Sequence, residues 1–213
     1  MEYPVNCAKQ TVTKTTQQAV RTCLVHSITR RFPTNERMLR YDCLSHVLFS
    51  DTLIAGSVSK RGNKYAQMYE ASFGWTQASP MTKKGDAHRN LSLLFKRGGV
   101  PPDMIMDRLK EHTLEKFNKK LKEANFNLKQ TEPYSPWSNA AEGTILETKK
   151  GSSQKTNHTG SPKKLWDNCL ELEALIRSNT ALDIYLLDGE VPETVMKGQA
   201  SDISHICEFS WYQ

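Results

Sequence analysis

Three acidic residues carry the chemistry this sequence is equipped for. Asp51 lies inside an apolar run, His46-Val47-Leu48-Phe49-Ser50-Asp51-Thr52-Leu53-Ile54-Ala55. Strand alternation puts it on one face with Phe49 and Leu53, where a carboxylate is costly unless something compensates it. Asp107 closes Met104-Ile105-Met106 at the carboxyl end of a short strand, the end at which ligands gather in open α/β sheets. Glu142 falls in the first turn expected of a helix that follows Pro136-Trp137-Ser138-Asn139. Each has an ordinary reading by itself: an aspartate bonded to nearby backbone, an aspartate ending a strand, a glutamate favoured by the helix dipole. Two aspartates on neighbouring strands and a glutamate on a nearby helix can also converge at one sheet edge. Three carboxylates that close repel one another unless metal neutralises them. Oxygen ligands select hard cations, Mg2+ or Mn2+. Two such ions about 4 Å apart activate an attacking oxygen and stabilise a leaving one, the chemistry of phosphodiester cleavage and transfer.

The elements that must position these acids follow from the patterning. The run from His46 to Ala55 reads as a buried strand, Ser59-Lys60-Arg61-Gly62-Asn63 as a turn, and Lys64 to Ala71 and Trp75 to Met81 as two more strands, an antiparallel meander. Ala87, Leu91, Leu94 and Phe95 form one face of a helix ended by Arg97-Gly98-Gly99. A short strand ending at Asp107 comes next, then a helix with Leu114, Phe117, Leu121 and Ala124 on one face, then a fifth strand at Asn127 to Gln130. The third helix is expected to start at Ser138 or Asn139 and run towards Lys150, with Lys149 and Lys150 as the basic residues a helix end favours. Gly151 to Gly160 reads as a polar surface loop. Ser161-Pro162 reads as the cap and first position of a long helix, with Leu165, Cys169, Leu172 and Ile176 as its stripe and Trp166 and Leu170 beside it. The chain beyond Asp188-Gly189 reads as loop. The order predicts an α/β fold, a mixed five-stranded sheet flanked by helices. The expected division is an arm or linker over 1–42, in which Ala19 to Ile28 looks helical, a core over 43–200, and a short tail over 201–213.

Composition narrows the function classes. Hydrophobic residues make up 38% and charged residues 24% of the 213, which excludes a disordered chain. No apolar run approaches the roughly 20 residues of a membrane-spanning helix, so no membrane partner is expected. The formal net charge of +6 suits a polyanion. Five scattered cysteines, with no C-x-x-C pair, point to free thiols in a reducing compartment and away from a zinc finger.

At the three acids the sequence resembles the integrases of retrotransposons and retroviruses, most closely the copia-type group. That family carries Asp, Asp and Glu with about 35 residues between the last two. Here 34 separate Asp107 from Glu142, and 55 separate Asp51 from Asp107. Phe49-Ser50-Asp51-Thr52 is similar to the first acidic strand, and Lys83-Lys84-Gly85-Asp86 to the segment before the first core helix. Tyr134-Ser135-Pro136-Trp137-Ser138-Asn139-Ala140-Ala141-Glu142 is similar to the run into the glutamate helix. The resemblance implies a ribonuclease H-like fold. It implies catalytic and metal-ligating roles for Asp51, Asp107 and Glu142 on two Mg2+ or Mn2+ ions, and DNA contacts at Lys149, Lys150 and Asn139. It further implies 3′-end processing and strand transfer on element ends and target DNA, in the nucleus, by a homo-oligomer. Arg108-Leu109-Lys110 stands where the family has Asn-Gly, and Ala140 where it has Gly. Two alternatives therefore stay open: an inactive DNA-binding or assembly remnant of the same fold, and a ribonuclease H-like nuclease.

Overall fold

A computed structural model describes residues 5–16, 44–106, 115–130 and 140–207. The alternating segments form the sheet. Strand β1 (Leu48–Ile54) pairs antiparallel with β2 (Tyr65–Ala71), and β2 pairs antiparallel with β3 (Thr76–Met81). On the other side of β1 lie β4 (Asp103–Met106) and then β5 (Asn127–Gln130), both parallel. The order across the sheet is β3-β2-β1-β4-β5. The β1–β2 turn is set locally: the Arg61 and Asn63 backbone N–H groups donate to Ser59 Oγ at 3.2 and 3.0 Å, and Gly62 takes φ +82°, a value glycine adopts without steric cost.

Helices cover both faces. On one face Leu48, Tyr69, Met104 and Met106 pack against α2 (Ala87–Arg97) through Leu91, Leu94 and Phe95, and against α3 (Glu115–Ala124) through Leu121. On the other face Leu53, Ala66, Met68 and Ala78 meet Ile145 of α4 (Ala140–Thr159) and Leu170 and Ala174 of α5 (Trp166–Ser178). Helix α4 lies over β1 and β2, and α5 over β3. The mixed five-stranded sheet and the α2 helix are as the sequence predicts, and the fold is ribonuclease H-like.

Several local expectations are corrected. Residues 151–159 are not a loop but the second half of α4. The buried stripe of this helix is polar, with Thr144, Thr148 and Ser152 beside Ile145, so no apolar period marks it. Its hydroxyls turn inward: Thr148, Thr156 and Thr159 donate to the carbonyls four residues back, at 2.7 to 2.9 Å. Lys149 and Lys150 therefore sit in the middle of the helix, not at its end. Ser161 does not cap α5; a 3-10 turn over Lys163–Leu165 intervenes, and no side chain caps the helix start. The face of α5 that is fully buried is Cys169, Leu170, Glu173 and Ala174, while Leu172 and Ile176 are only half-buried. Beyond Asp188-Gly189 two short helices form, α6 (Pro192–Lys197) and α7 (Ser204–Cys207). Near the N-terminus, α1 (Val5–Lys14) docks on the segment after α5. Cys7 is buried there, Thr11 Oγ1 accepts from the Ala181 N–H at 2.8 Å, and Thr15–Thr16 pairs with Ser201–Asp202. The helical segment expected over Ala19 to Ile28 lies outside the described residues.

Candidate functional site

Asp51 sits in the middle of β1, opposite Met68 of β2. It shares the α4 face with Leu53 and is half-buried. That face closes progressively across the sheet. Ala78 and Met68 are buried, Asp51 and Ile105 half-buried, and Lys129 on β5 exposed. Asp51 thus stands at the margin of the helical cover, where a carboxylate reaches water while its backbone stays in the ladder. Its Oδ1 accepts from the Thr52 N–H at 2.6 Å. The flanking residues are locked on the opposite face. Gln67 Nε2 donates to Ser50 Oγ at 2.7 Å, Ser50 Oγ donates to the Met68 carbonyl at 2.9 Å, and Thr52 Oγ1 donates to Gln67 Oε1 at 2.9 Å. Ser50 and Gln67 are fully buried, so this network fixes the strand at its acidic position. Local sequence gives no sign of it, because the partners come from two strands.

Glu142 is exposed in the first turn of α4. Glu142, Leu146, Lys149 and Ser153 follow one another along the exposed side of that helix, the i, i+4, i+7, i+11 stripe of a single face. Lys149 is therefore about 10 Å beyond Glu142 along the axis. Lys150 is exposed beside it. Asp107 and Asn139 lie outside the described residues. Among the described residues, of which Asp107 is not one, no three His, Cys, Asp or Glu side chains gather as a metal site.

Two further features escape the sequence reading. Glu70, opposite Phe49 on β2, is buried under α4. Burial chiefly pushes its carboxyl up to about 7, helped by Glu147 and opposed by a Thr144 hydrogen bond and by Arg177. The second feature is a groove of about 650 Å³ between the end of β1, the second half of α4 and the start of α5. Leu53, Ala55, Trp166 and Leu170 line it together with Lys149 and Lys163. The hairpin beside it is pinned to α5 by Asp167, which is fully buried. Burial would raise that carboxyl, but hydrogen bonds from Asn63, Arg61 and Ser59 hold it below its ordinary value. Arg61 Nε and Asn63 Nδ2 donate to Asp167 Oδ2 at 2.7 and 2.8 Å.

No protein-family model and no curated protein sequence matches the chain. Solved structures do. A chain of the simian T-cell lymphotropic virus intasome, in complex with PP2A regulatory subunit B56 gamma, superposes with a TM-score of 0.60 at 16% identity over 74% of this chain. The match spans 56% of that chain's own length. The HTLV-2 integrase catalytic core domain, in a trimeric magnesium complex, gives 0.55 at 12% identity, covering 74% of this chain and 99% of that one. The catalytic core domain of BIV integrase gives 0.54 at 14% identity, covering 71% and 93%. At such identities the likeness is one of fold.

Proposed function

We propose that the chain is the core of an integrase-type polynucleotidyl transferase that performs DNA 3′-end processing and strand transfer during retrotransposon integration. The carrying observation is the register of β1 and β4. These strands are parallel, and Ser50 neighbours Met106. Asp51 and Asp107 are the next residue of each, so one peptide link, about 3.8 Å between Cα atoms, separates Asp107 from a position beside Asp51's own neighbour. Helix α4, with Glu142 in its first turn, packs on the face to which Asp51 belongs. An all-carboxylate donor set at the open margin of a sheet fits hard divalent ions. Asp51, Asp107 and Glu142 would hold two Mg2+ or Mn2+ ions. When bound, such ions supply an activated attacking oxygen and a Lewis acid for the leaving one. The Ser50–Gln67–Thr52 network across β1 and β2 keeps Asp51 in place, and in this reading Lys149, Lys150 and Asn139 take DNA phosphates. The core is residues 43–200, between an arm over 1–42 and a tail over 201–213. It acts in the nucleus on element ends and target DNA, as a homo-oligomer. Among the described residues no helix is long and apolar enough to cross a membrane.

The test is nicking and strand transfer by the purified chain on oligonucleotides that mimic element ends, with Mn2+. Glu142→Gln should abolish both and leave the melting temperature unchanged. Metal-dependent joining that survives Glu142→Gln would overturn the assignment. DNA binding without cleavage would point to an inactive remnant, and preferential cutting of RNA in a hybrid to a ribonuclease H.

A further inference from the structure

The groove beside the acidic positions has a chemical character of its own. Its floor is apolar: Leu53, Ala55, Trp166 and Leu170. The Trp166 indole N–H is buried, so what the ring presents to the groove is carbon surface. Its rim is cationic and hydrogen-bonding, with Lys149, Lys163, Thr156 and Asn157. Among the described residues no acidic side chain lines it. Of the acids on α5 beside it, Asp167 and Glu171 are engaged by Arg61, and Glu173 by Lys155. Lys149 and Lys163 make no salt bridge among the described residues. One more lysine reaches the rim: Lys64 Nζ donates to the carbonyl of Gly56, which lines the groove, at 3.3 Å.

We infer that this groove binds an unpaired stretch of nucleic acid, with phosphates on Lys149 and Lys163 and a base stacked on Trp166. The volume falls within the roughly 300–1,000 Å³ of sites for ligands of this size. A cationic rim over an aromatic floor is the combination that single strands use, because every unstacked base has a π-face to offer. A duplex keeps its bases stacked on one another and offers sugar–phosphate backbone and base edges but no free base face, which would leave the apolar floor uncovered. The groove also adjoins the proposed metal site. Leu53 is two residues, roughly 7 Å, along β1 from Asp51, and Lys149 lies on the Glu142 stripe of α4. This inference rests on the reading that the chain handles nucleic acid, and it places in the groove the strand that continues from the reacting phosphate.

The test is fluorescence anisotropy with a labelled oligothymidylate of about ten nucleotides, against a duplex of equal length. It is run in EDTA on protein carrying Glu142→Gln, so that catalysis plays no part. The single strand should bind more tightly than the duplex. Trp166→Leu, which keeps an apolar side chain at the core margin, should weaken single-strand binding about tenfold. Lys163→Gln should weaken it about threefold and lower the salt dependence by about 0.7 of a counterion. Duplex binding should change little in either variant. Lys163 is exposed on a turn, so its variant decides the matter if Trp166→Leu does not fold. Single-strand binding no tighter than duplex binding, or unchanged in Lys163→Gln, overturns the inference. Groove binding with no metal-dependent cleavage by the wild-type chain would sink the transferase reading alone. Cleavage without groove binding would sink the groove alone.

Discussion

Helix α4 carries two glycines in opposite surroundings, and alanine at each should move stability in opposite directions. At Gly143 an added Cβ meets nothing within 4 Å, so Gly143→Ala should gain helix propensity, about 1 kcal/mol. At Gly151 the added Cβ would lie 2.6 Å from Glu173 Cδ and 3.2 Å from its Cγ, with Oε1 nearer still. A flexible side chain at the surface would swing away, but Glu173 is only 3% exposed and its carboxylate is held by Lys155. Displacing it strips the buried Glu173 carboxylate of Lys155, its half-buried partner, at about 3–5 kcal/mol. Set against the same 1 kcal/mol of propensity, Gly151→Ala should destabilise by about 2–4 kcal/mol. For a chain of this size that is a melting temperature roughly 5–15 °C lower, with Gly143→Ala about 2–4 °C higher. Thermal unfolding followed by circular dichroism reads both. Equal gains in the two variants would refute the close α4–α5 approach, and with it the seating of the helix that bears Glu142.

Two more outcomes follow from buried charge. Glu70 holds its proton in the fold up to about pH 7, whereas in the unfolded chain it ionises near 4.5. Its contribution is thus fully present below about 4.5 and is lost as pH rises through about 7, at up to about 1.4 kcal/mol per unit. Glu70→Gln should flatten the fall in melting temperature between pH 5 and 8; an unaltered slope would show that the carboxyl is not buried as described. Arg61→Leu removes the charged partner of Asp167, and because the Arg61 side chain is itself 43% exposed and Asn63 remains, the loss should be roughly 1–3 kcal/mol. Urea titration measures it, and no change in midpoint would mean that the hairpin is not held to α5 through this pair.

The parts of the fold legible in the sequence are those whose buried faces are apolar. The alternation around Asp51 marks β1, and Leu91, Leu94 and Phe95 mark α2. The second half of α4 is illegible for a physical reason: its buried stripe is Thr148 and Ser152 beside Gly151, and it is stabilised by groups on α5. Lys155 pairs with Glu173, and the Cys169 thiol donates to the Ser152 carbonyl at 3.4 Å. The helices near the C-terminus have six and four residues, too few to show a period. Of the candidate site, Asp51 and Glu142 fall on the strand and helix start that spacing predicts. Asp107 and Asn139 lie outside the described residues. The groove could not be read at all, since its walls come from two stretches far apart in the chain, Leu53 to Ser57 and Lys149 to Leu170. Glu70 carries no mark in its neighbourhood of the burial imposed by a helix more than seventy residues away.

A calorimetric titration with Mn2+ addresses the proposed metal cage most directly, comparing the wild-type chain with Asp51→Asn, Asp107→Asn and Glu142→Gln. The wild type should take up two ions per chain, and each single substitution should weaken or remove that uptake while the far-ultraviolet spectrum stays unchanged. Uptake that is absent from the wild type, or indifferent to any one of the three substitutions, would mean that these acids do not meet.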